Sequence, residues 1–165
     1  GSFDYVGPPK SGKKFVDNYH TGFNMRMLYS IWKLTNDEAI KTSLDNCYTH
    51  YMNNFFEGPI PKFTPERLYR VDIHSVSECV HCLCTLSPEY PQGIQYAKET
   101  LHWAIKELQH KSGWFYHGIF LSRIFKKPFK SKIPYMRWAQ AWMFRAFTTV
   151  SMYDSFGTES TKSLA

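Results

Sequence analysis

The sequence predicts an all-α fold built from stacked antiparallel helical hairpins. Five segments have helical periodicity, and they alternate between two kinds along the chain. Segments 19–34, 74–86 and 136–153 carry apolar or aromatic residues on nearly every side, whereas segments 37–56 and 90–108 have one polar face. Short connections join each apolar helix to its amphipathic successor, so we expect an inner layer of apolar helices and an outer layer of amphipathic ones.

Two helix starts are predicted from local signals. Thr35 with Glu38 forms a capping-box pattern before the first outer helix, and Ser87 followed by Pro88 marks the start of the second. Extended segments near 60–72 and 114–135 are the only strands we expect. They would form short β-hairpin-like pieces before the inner helices.

The length and composition indicate one domain. The chain has 165 residues, of which 43% are hydrophobic and 18% aromatic, so it can bury a sizeable core. We predict a helical-hairpin domain over 15–156, preceded by an extended leader over 1–14 that includes a tag remnant, and followed by a flexible tail over 157–165. No apolar run reaches the roughly 20 residues of a membrane span, so no membrane association is expected.

The cysteines favour a reducing compartment and therefore a cytoplasmic location. Three of the four are crowded into the stretch ECVHCLC, where two share a helical face. A structural zinc site needs four ligands, commonly presented by a loop. We therefore interpret the cysteines as small buried hydrophobic residues and expect neither a metal nor another cofactor.

The segments leading into the inner helices resemble one another. GKKFVDNYHTG, RLYRVDIHSV and KSKIPYMRWA each place a basic, aromatic-containing stretch before an apolar helix. They align His20 with His74 and Arg137, at separations of 54 and 63 residues. Stacked hairpins bring such helix starts to one face, where backbone N–H groups and helix dipoles favour anions.

The motifs VDNYHTGF, VDIHS and IPYMRWAQAWMFRA at these helix starts resemble the (α/α) toroids of the six-hairpin glycosidase type. The similarity is to proteins of bacterial polysaccharide-biosynthesis clusters, uronate lyases and uronyl epimerases, and it covers roughly 15–156. A complete toroid has six hairpins, and this sequence predicts only five helices. The resemblance thus implies part of a toroid that self-associates or contacts further hairpins of a longer chain.

Histidines at the helix starts are the leading catalytic candidates. We predict His74 and His20 as general acid or base, Asp72 as a partner or second acid, and the phenol of Tyr116 as a further proton-transfer group. The alternative is that Asp72 only belongs to the start of a helix. The alignment also places Asn18 opposite Asp72.

A second set of residues is predicted to bind substrate. Arginine supplies a planar cation for a carboxylate, and an aromatic ring stacks on a sugar. The predicted set is Arg70, Tyr69, Asn18, Arg137, Trp138 and Glu78. Glu78 could instead complete a capping box with Ser75, and we interpret Trp142 as a core residue.

The charge distribution predicts an anionic partner. The net charge is +6, and the region 111–137 contains lysines and arginines but no acidic residue. We expect a carbohydrate-active domain that binds or modifies an acidic glycan as a lyase, epimerase or hydrolase. A hydrolase would need two carboxylates from Asp72, Asp17 and Glu78. The alternatives are a non-catalytic glycan-binding or assembly module and, less favoured, a nucleic-acid-binding helical repeat, because no inner helix carries a basic stripe.

Overall fold

The computed structural model of the protein describes residues 1–2 and 15–162, with side chains as far as residue 153. Most of the leader predicted over 1–14 and the last three residues of the predicted tail therefore lie outside the described residues. The domain limits over 15–156 remain a prediction.

The described chain is mainly helical, which confirms the predicted fold class. The helices are α1 (Asn18–Thr35), α2 (Glu38–Asn54), α3 (Ile73–Leu86), α4 (Gly93–Leu108) and α5 (Ala141–Lys162). One π-helical turn, Met136–Gln140, leads into α5. All five helices coincide with the segments whose periodicity predicts them, and α5 continues beyond residue 156.

The strands are short and form two antiparallel sheets. β1 (Phe56–Glu57) pairs with β2 (Ile60–Pro61), whereas β3 (Val71–Asp72), β4 (Gly118–Leu121) and β5 (Pro128–Ser131) form a three-stranded sheet in the order β3–β4–β5. The extended segments predicted near 60–72 and 114–135 therefore contain most of the strand residues. The larger sheet ends where α3 begins, so it fixes the position of that helix start.

The inner layer consists of α1, α3 and α5, with α3 in the centre. α1 packs against α2 and α3, and α3 also packs against α4 and α5. The central position of α3 explains its composition, because twelve of its fourteen residues are buried, among them Cys79, Val80 and Leu83. The predicted inner and outer helices are confirmed.

Aspartates rather than the predicted capping boxes begin the helices. Asp37 caps α2, where its Oδ1 accepts a hydrogen bond from the backbone N–H of Ala39 at 2.7 Å. Asp72 caps α3, so the predicted capping box of Ser75 with Glu78 is wrong. α4 begins only at Gly93, after turns at residues 87–89 and 91–92. In α2 and α3 the carboxylate of an aspartate accepts from the free amides of the first turn, so the aspartate takes the capping position.

All four cysteines are free thiols in the core. Burial raises the pKa of Cys47 and of Cys79 to about 12, so these thiols stay protonated at neutral pH. Over residues 1–2 and 15–162, no group of histidine, cysteine and acidic side chains is arranged to hold a metal ion. The cysteines pack as small apolar residues.

The two outer edges of the inner layer expose apolar side chains. On α1, Leu34 is 84% exposed and Ile31 is 45% exposed; on α5, Phe144 is 71% exposed and Met152 is 59% exposed. We call these two faces the α1 flank and the α5 flank. On each of them an inner helix has no further neighbour among the described helices. Apolar patches on both ends of one layer are typical of an interface.

Candidate functional site

A cleft of about 770 Å³ lies where the start of α1, the start of α3 and the π-helical turn meet. Its lining combines aromatic rings with four kinds of polar group: carboxylate, imidazole, guanidinium and hydroxyl. The lining residues are Phe15, Asp17, Tyr19, His20, Phe63, Arg70, Asp72, His74, Ser75, Arg137, Trp138 and Trp142. The cleft therefore occupies the face on which the helix starts are predicted to converge.

Asp17 fixes the α1 side of the cleft. Its Oδ1 accepts a hydrogen bond from the backbone N–H of His20 at 2.7 Å, which makes Asp17 the N-cap of α1. The backbone N–H of Asn18 donates to the carbonyl of Phe63 at 3.0 Å, which ties the helix start to the loop before β3. His20 is thereby held on the first turn of an anchored helix.

The larger sheet fixes the α3 side. Asp72 is paired with Gly118 of β4, and its Oδ1 caps α3 by accepting from the backbone N–H of His74 at 2.9 Å. A side chain at residue 118 would collide with the carbonyl of Val71, so glycine is required there for the strands to approach. This strand pairing holds the carboxylate of Asp72 at the cleft.

The third wall comes from the π-helical turn. The amides of Ala139 and Gln140 both donate to the carbonyl of Tyr135, at 2.9 and 3.3 Å, which widens the turn that carries Arg137 and Trp138. Such turns are frequent at functional sites. The side chain of Gln140 locks this turn to the preceding loop, because it accepts from the Phe115 amide at 2.7 Å and donates to the Phe115 carbonyl at 2.8 Å.

His74 lies in an aromatic box at the base of the cleft. Its ring centroid is 4.1 Å from that of Tyr19 and 4.4 Å from those of Trp138 and Trp142. The residue is 6% exposed, and its Nε2 atom has no hydrogen-bond partner among the described residues. Burial lowers the pKa of His74 to about 4, so its imidazole is neutral at physiological pH.

The charges at the cleft are of both signs. The Arg70 guanidinium lies over the ring of Phe63, 4.5 Å from its centroid, and its Nε atom is 3.9 Å from Oδ2 of Asp72. The Arg137 side chain is exposed on the π-helical turn and has no ion-pair partner among the described residues. Arg137 is thus a cation with unused hydrogen-bonding capacity in a cleft that aromatic rings also line.

Six of the ten site residues predicted from the sequence meet at this cleft. They are His20, His74, Asp72, Arg70, Arg137 and Trp138. Their convergence from positions 54 and 63 residues apart is what stacked hairpins predict. The structure places the residues, and their chemical roles remain predictions.

The other four predicted residues lie elsewhere. Asn18 is fully buried and accepts a hydrogen bond from the Tyr51 hydroxyl at 2.9 Å. Glu78 is fully buried between α1 and α3, where Arg26 donates to both of its carboxylate oxygens. Tyr69 packs against the core, and Tyr116 packs edge-on against Trp114 at 5.2 Å. None of the four lines the cleft.

The sequence alignment of the helix starts is wrong by one residue at the cap. The residue equivalent to Asp72 is Asp17 rather than Asn18, because Asp17 is the N-cap of α1. Asp17 therefore lies three residues before His20, whereas Asp72 lies two residues before His74. That spacing lets Oδ2 of Asp17 accept from Nδ1 of His20 at 2.7 Å, a contact that the alignment did not predict.

Trp142 and Tyr19 are also part of the cleft lining. The sequence pattern predicts a core position for Trp142, but one side of α5 faces the cleft and the Trp142 ring lines it, at 88° to the ring of Tyr19. The nearly uniform apolar composition of segment 136–153 gave no signal for which side is open.

No protein-family profile and no curated protein matches the chain by sequence. Solved structures do match its fold. The first is an inactive variant of the α-1,6-mannanase GH76A of Salegentibacter in complex with a mannotetraose: the TM-score is 0.66 at 14% identity, over 85% of this chain and 44% of the mannanase. The cellobiose 2-epimerase of Spirochaeta thermophila matches with a TM-score of 0.67 at 12% identity, over 84% of this chain and 38% of the epimerase.

A family 105 glycoside hydrolase of C. acetobutylicum matches as well, with a TM-score of 0.63 at 15% identity, over 77% of this chain and 37% of the hydrolase. The fold is therefore part of an (α/α) toroid of the glycosidase type, as the sequence resemblance implies. The chain spans less than half the length of these three structures. Among the described helices, none is long and apolar enough to cross a bilayer.

Proposed function

We propose that the domain binds an acidic saccharide unit in the cleft and modifies it as part of polysaccharide biosynthesis or processing. The observation that carries this proposal is that two arginines, two histidines and several aromatic rings line the same cleft. Guanidinium groups bind carboxylates in planar geometry, and tryptophan and tyrosine stack on sugar rings. The three structural neighbours, a mannanase, an epimerase and a glycoside hydrolase, support a carbohydrate ligand.

Chemistry beside a uronate carboxylate fits the lining better than hydrolysis. A glycoside hydrolase needs two carboxylates that flank the bond, one of them available as an acid. Here Asp17 and Asp72 each cap a helix, and Asp17 is also bonded to a histidine. A lyase or epimerase needs instead a cation for the uronate carboxylate and a base for the neighbouring proton. Arg70 or Arg137 supplies the cation, and a histidine supplies the base.

Binding of a short oligogalacturonate tests the proposal. Isothermal titration should detect binding of the uronate oligomer and weaker or no binding of a neutral oligosaccharide of equal length. Replacing Arg137 with Met should weaken uronate binding about 10- to 100-fold, because a charge-assisted contact is lost. The matched control is Arg123→Met, which removes an exposed arginine that does not line the cleft.

Three experimental outcomes would contradict the proposal or part of it. Equal loss of affinity in Arg137→Met and Arg123→Met would indicate general attraction to the basic hairpin rather than binding in the cleft. Absence of glycan binding together with salt-sensitive, sequence-independent binding of RNA or DNA would instead favour the nucleic-acid alternative. Glycan binding without turnover would favour a non-catalytic binding or assembly module.

We also propose that a second copy of the chain covers the exposed flanks. The described residues contribute three inner helices, α1, α3 and α5, and a six-hairpin toroid has six. A two-fold axis along the toroid axis would pack the α1 flank of each copy on the α5 flank of the other and bury Phe23, Ile31 and Phe144. Light scattering should therefore give the mass of a dimer at high protein concentration.

Charged substitutions separate this assembly from non-specific association. Phe144→Glu on the α5 flank should shift the particle to monomer mass, because it places a carboxylate in the proposed interface. Ile124→Glu is the matched control, since Ile124 is 83% exposed but lies on the turn between β4 and β5. A wild-type particle that stays monomeric at high concentration would contradict the assembly.

A further inference from the structure

The two histidines of the cleft differ in what holds their rings. Nδ1 of His20 is 2.7 Å from Oδ2 of Asp17, whose other oxygen caps α1 through the backbone N–H of the same histidine. A carboxylate only accepts hydrogen bonds, so the proton in this contact belongs to Nδ1. The ring is thereby held in one tautomer, and Nε2 is the nitrogen that can exchange a proton.

His74 has no such partner. The Asp72 oxygen that caps α3 bonds the backbone N–H of His74 at 2.9 Å, and no described side chain bonds its ring. The ring is enclosed by Tyr19, Trp138 and Trp142, and no described carboxylate is hydrogen-bonded to it. His74 is 6% exposed, whereas the side chain of His20 is 41% exposed at the cleft.

We infer that the Asp17–His20 pair transfers protons in this cleft and that His74 is a neutral hydrogen-bonding group that positions the sugar. This inference rests on the proposed function and assigns roles within the same site. Asp17 acts as a positioning residue, since it orients the ring and stabilises the imidazolium that forms on proton uptake. The unpartnered Nε2 of His74 is left for a sugar hydroxyl.

The proton-transfer step balances without a cofactor. Nε2 of His20 takes the proton from the carbon beside the uronate carboxylate, and the electron pair of the broken C–H bond moves into the carboxylate to give an enediolate. The guanidinium of Arg70 or Arg137 faces the added negative charge. The imidazolium then returns a proton to the same carbon. In D₂O it returns a deuteron, because the exposed His20 ring exchanges its proton with solvent.

Hydrogen–deuterium exchange of a bound uronate tests these roles directly. Wild-type protein with saturating oligogalacturonate in D₂O should lose the proton NMR signal of the carbon beside the carboxylate. We expect His20→Gln to slow this exchange about a hundredfold or more, with affinity changed less than about threefold. His74→Gln should weaken binding but still allow exchange at saturation.

Asp17→Asn separates orientation from helix capping. Asparagine is also a good N-cap, so α1 should stay formed. Its side-chain amide can instead donate to Nδ1, so we expect nitrogen NMR of the His20 ring to show the proton moved to Nε2, together with slower exchange. An unchanged His20 tautomer in Asp17→Asn would overturn the role of Asp17.

The remaining outcomes distinguish this inference from the proposed function. Exchange that is lost in His74→Gln and kept in His20→Gln would overturn the inference alone. Binding without exchange by the wild type would overturn the inference and favour the non-catalytic binding module. Failure of the wild type to bind any uronate would overturn the proposed function and the inference with it. Circular dichroism of each variant checks that the helices remain folded.

Discussion

Replacing Glu78 with Gln should destabilise the fold by about 3–5 kcal/mol, because removing one partner of a buried ion pair leaves the other charge uncompensated. Arg26 on α1 donates to Glu78 on α3 through Nε at 2.6 Å and through the second guanidinium nitrogen at 3.0 Å. Arg26 is 8% exposed and Glu78 is completely buried. Chemical denaturation at neutral pH measures the change in the free energy of unfolding.

An exposed ion pair provides the matched control. Nζ of Lys130 is 3.1 Å from Oε2 of Glu107, but the two side chains are 38% and 37% exposed. Glu107→Gln should therefore cost no more than about 1 kcal/mol. The double variant Arg26→Met with Glu78→Leu should be more stable than Glu78→Gln, because an apolar pair leaves no buried charge. Stability of Glu78→Gln within about 1 kcal/mol of wild type would contradict the structural role.

The ion pair between Arg26 and Glu78 could not be predicted from local sequence pattern. The periodicity of α3 is a local property, so it correctly indicated a buried helix. The partner of Glu78 lies 52 residues away, and the contact depends on how closely α1 approaches α3. Gly22 sets that approach, since a Cβ atom there would lie 3.3 Å from Cγ of Glu78. Local pattern alone assigned Glu78 to a cap or a cleft, because neither the register nor the spacing of two helices is encoded locally.

The cleft was predictable to the extent that it depends on helix order. Because inner helices alternate with outer ones, the starts of the inner helices share a face, and six predicted residues meet there. Details set by backbone geometry were not predictable. The one-residue difference between the caps Asp17 and Asp72 decides which histidine receives a carboxylate. The π-helical turn that presents Arg137 and Trp138 has no signature in helical periodicity.

Two neutral histidines should make the folded protein lose stability as the pH falls from about 6.5 to about 4. Burial lowers the pKa of His74 to about 4, with a smaller contribution from His20 in the same direction and an opposing one from Asp72. Burial also lowers the pKa of His81 to about 4, and the charges of Arg26 and Arg145 add to this shift. Arg145 donates to Nε2 of His81 at 2.7 Å, and Nδ1 of His81 lies 3.0 Å from the hydroxyl of Thr149. A proton added at Nε2 would therefore break the contact with Arg145.

The direction of this pH effect depends on whether the folded or the unfolded state binds more protons. Between the unfolded pKa of about 6.5 and the folded pKa of about 4, the unfolded chain takes up protons that the folded protein does not, so unfolding is favoured as the pH falls. The loss is at most about 3 kcal/mol for each histidine, and solvent exposure of His81 reduces its share. Above about pH 6.5 these histidines contribute no pH dependence.

Comparison of variants isolates this effect from that of Glu78, whose pKa is raised by burial and which acts in the opposite direction. The free energy of unfolding is measured at about pH 7 and about pH 4.5 for wild type, His74→Gln and His81→Gln. Each variant should lose less stability than the wild type between the two pH values, because the unfolded chain then has one fewer group to protonate. His102→Gln is the matched control, since His102 is exposed on α4. A wild-type loss that persists undiminished in both His74→Gln and His81→Gln would mean that neither histidine is held neutral by the fold.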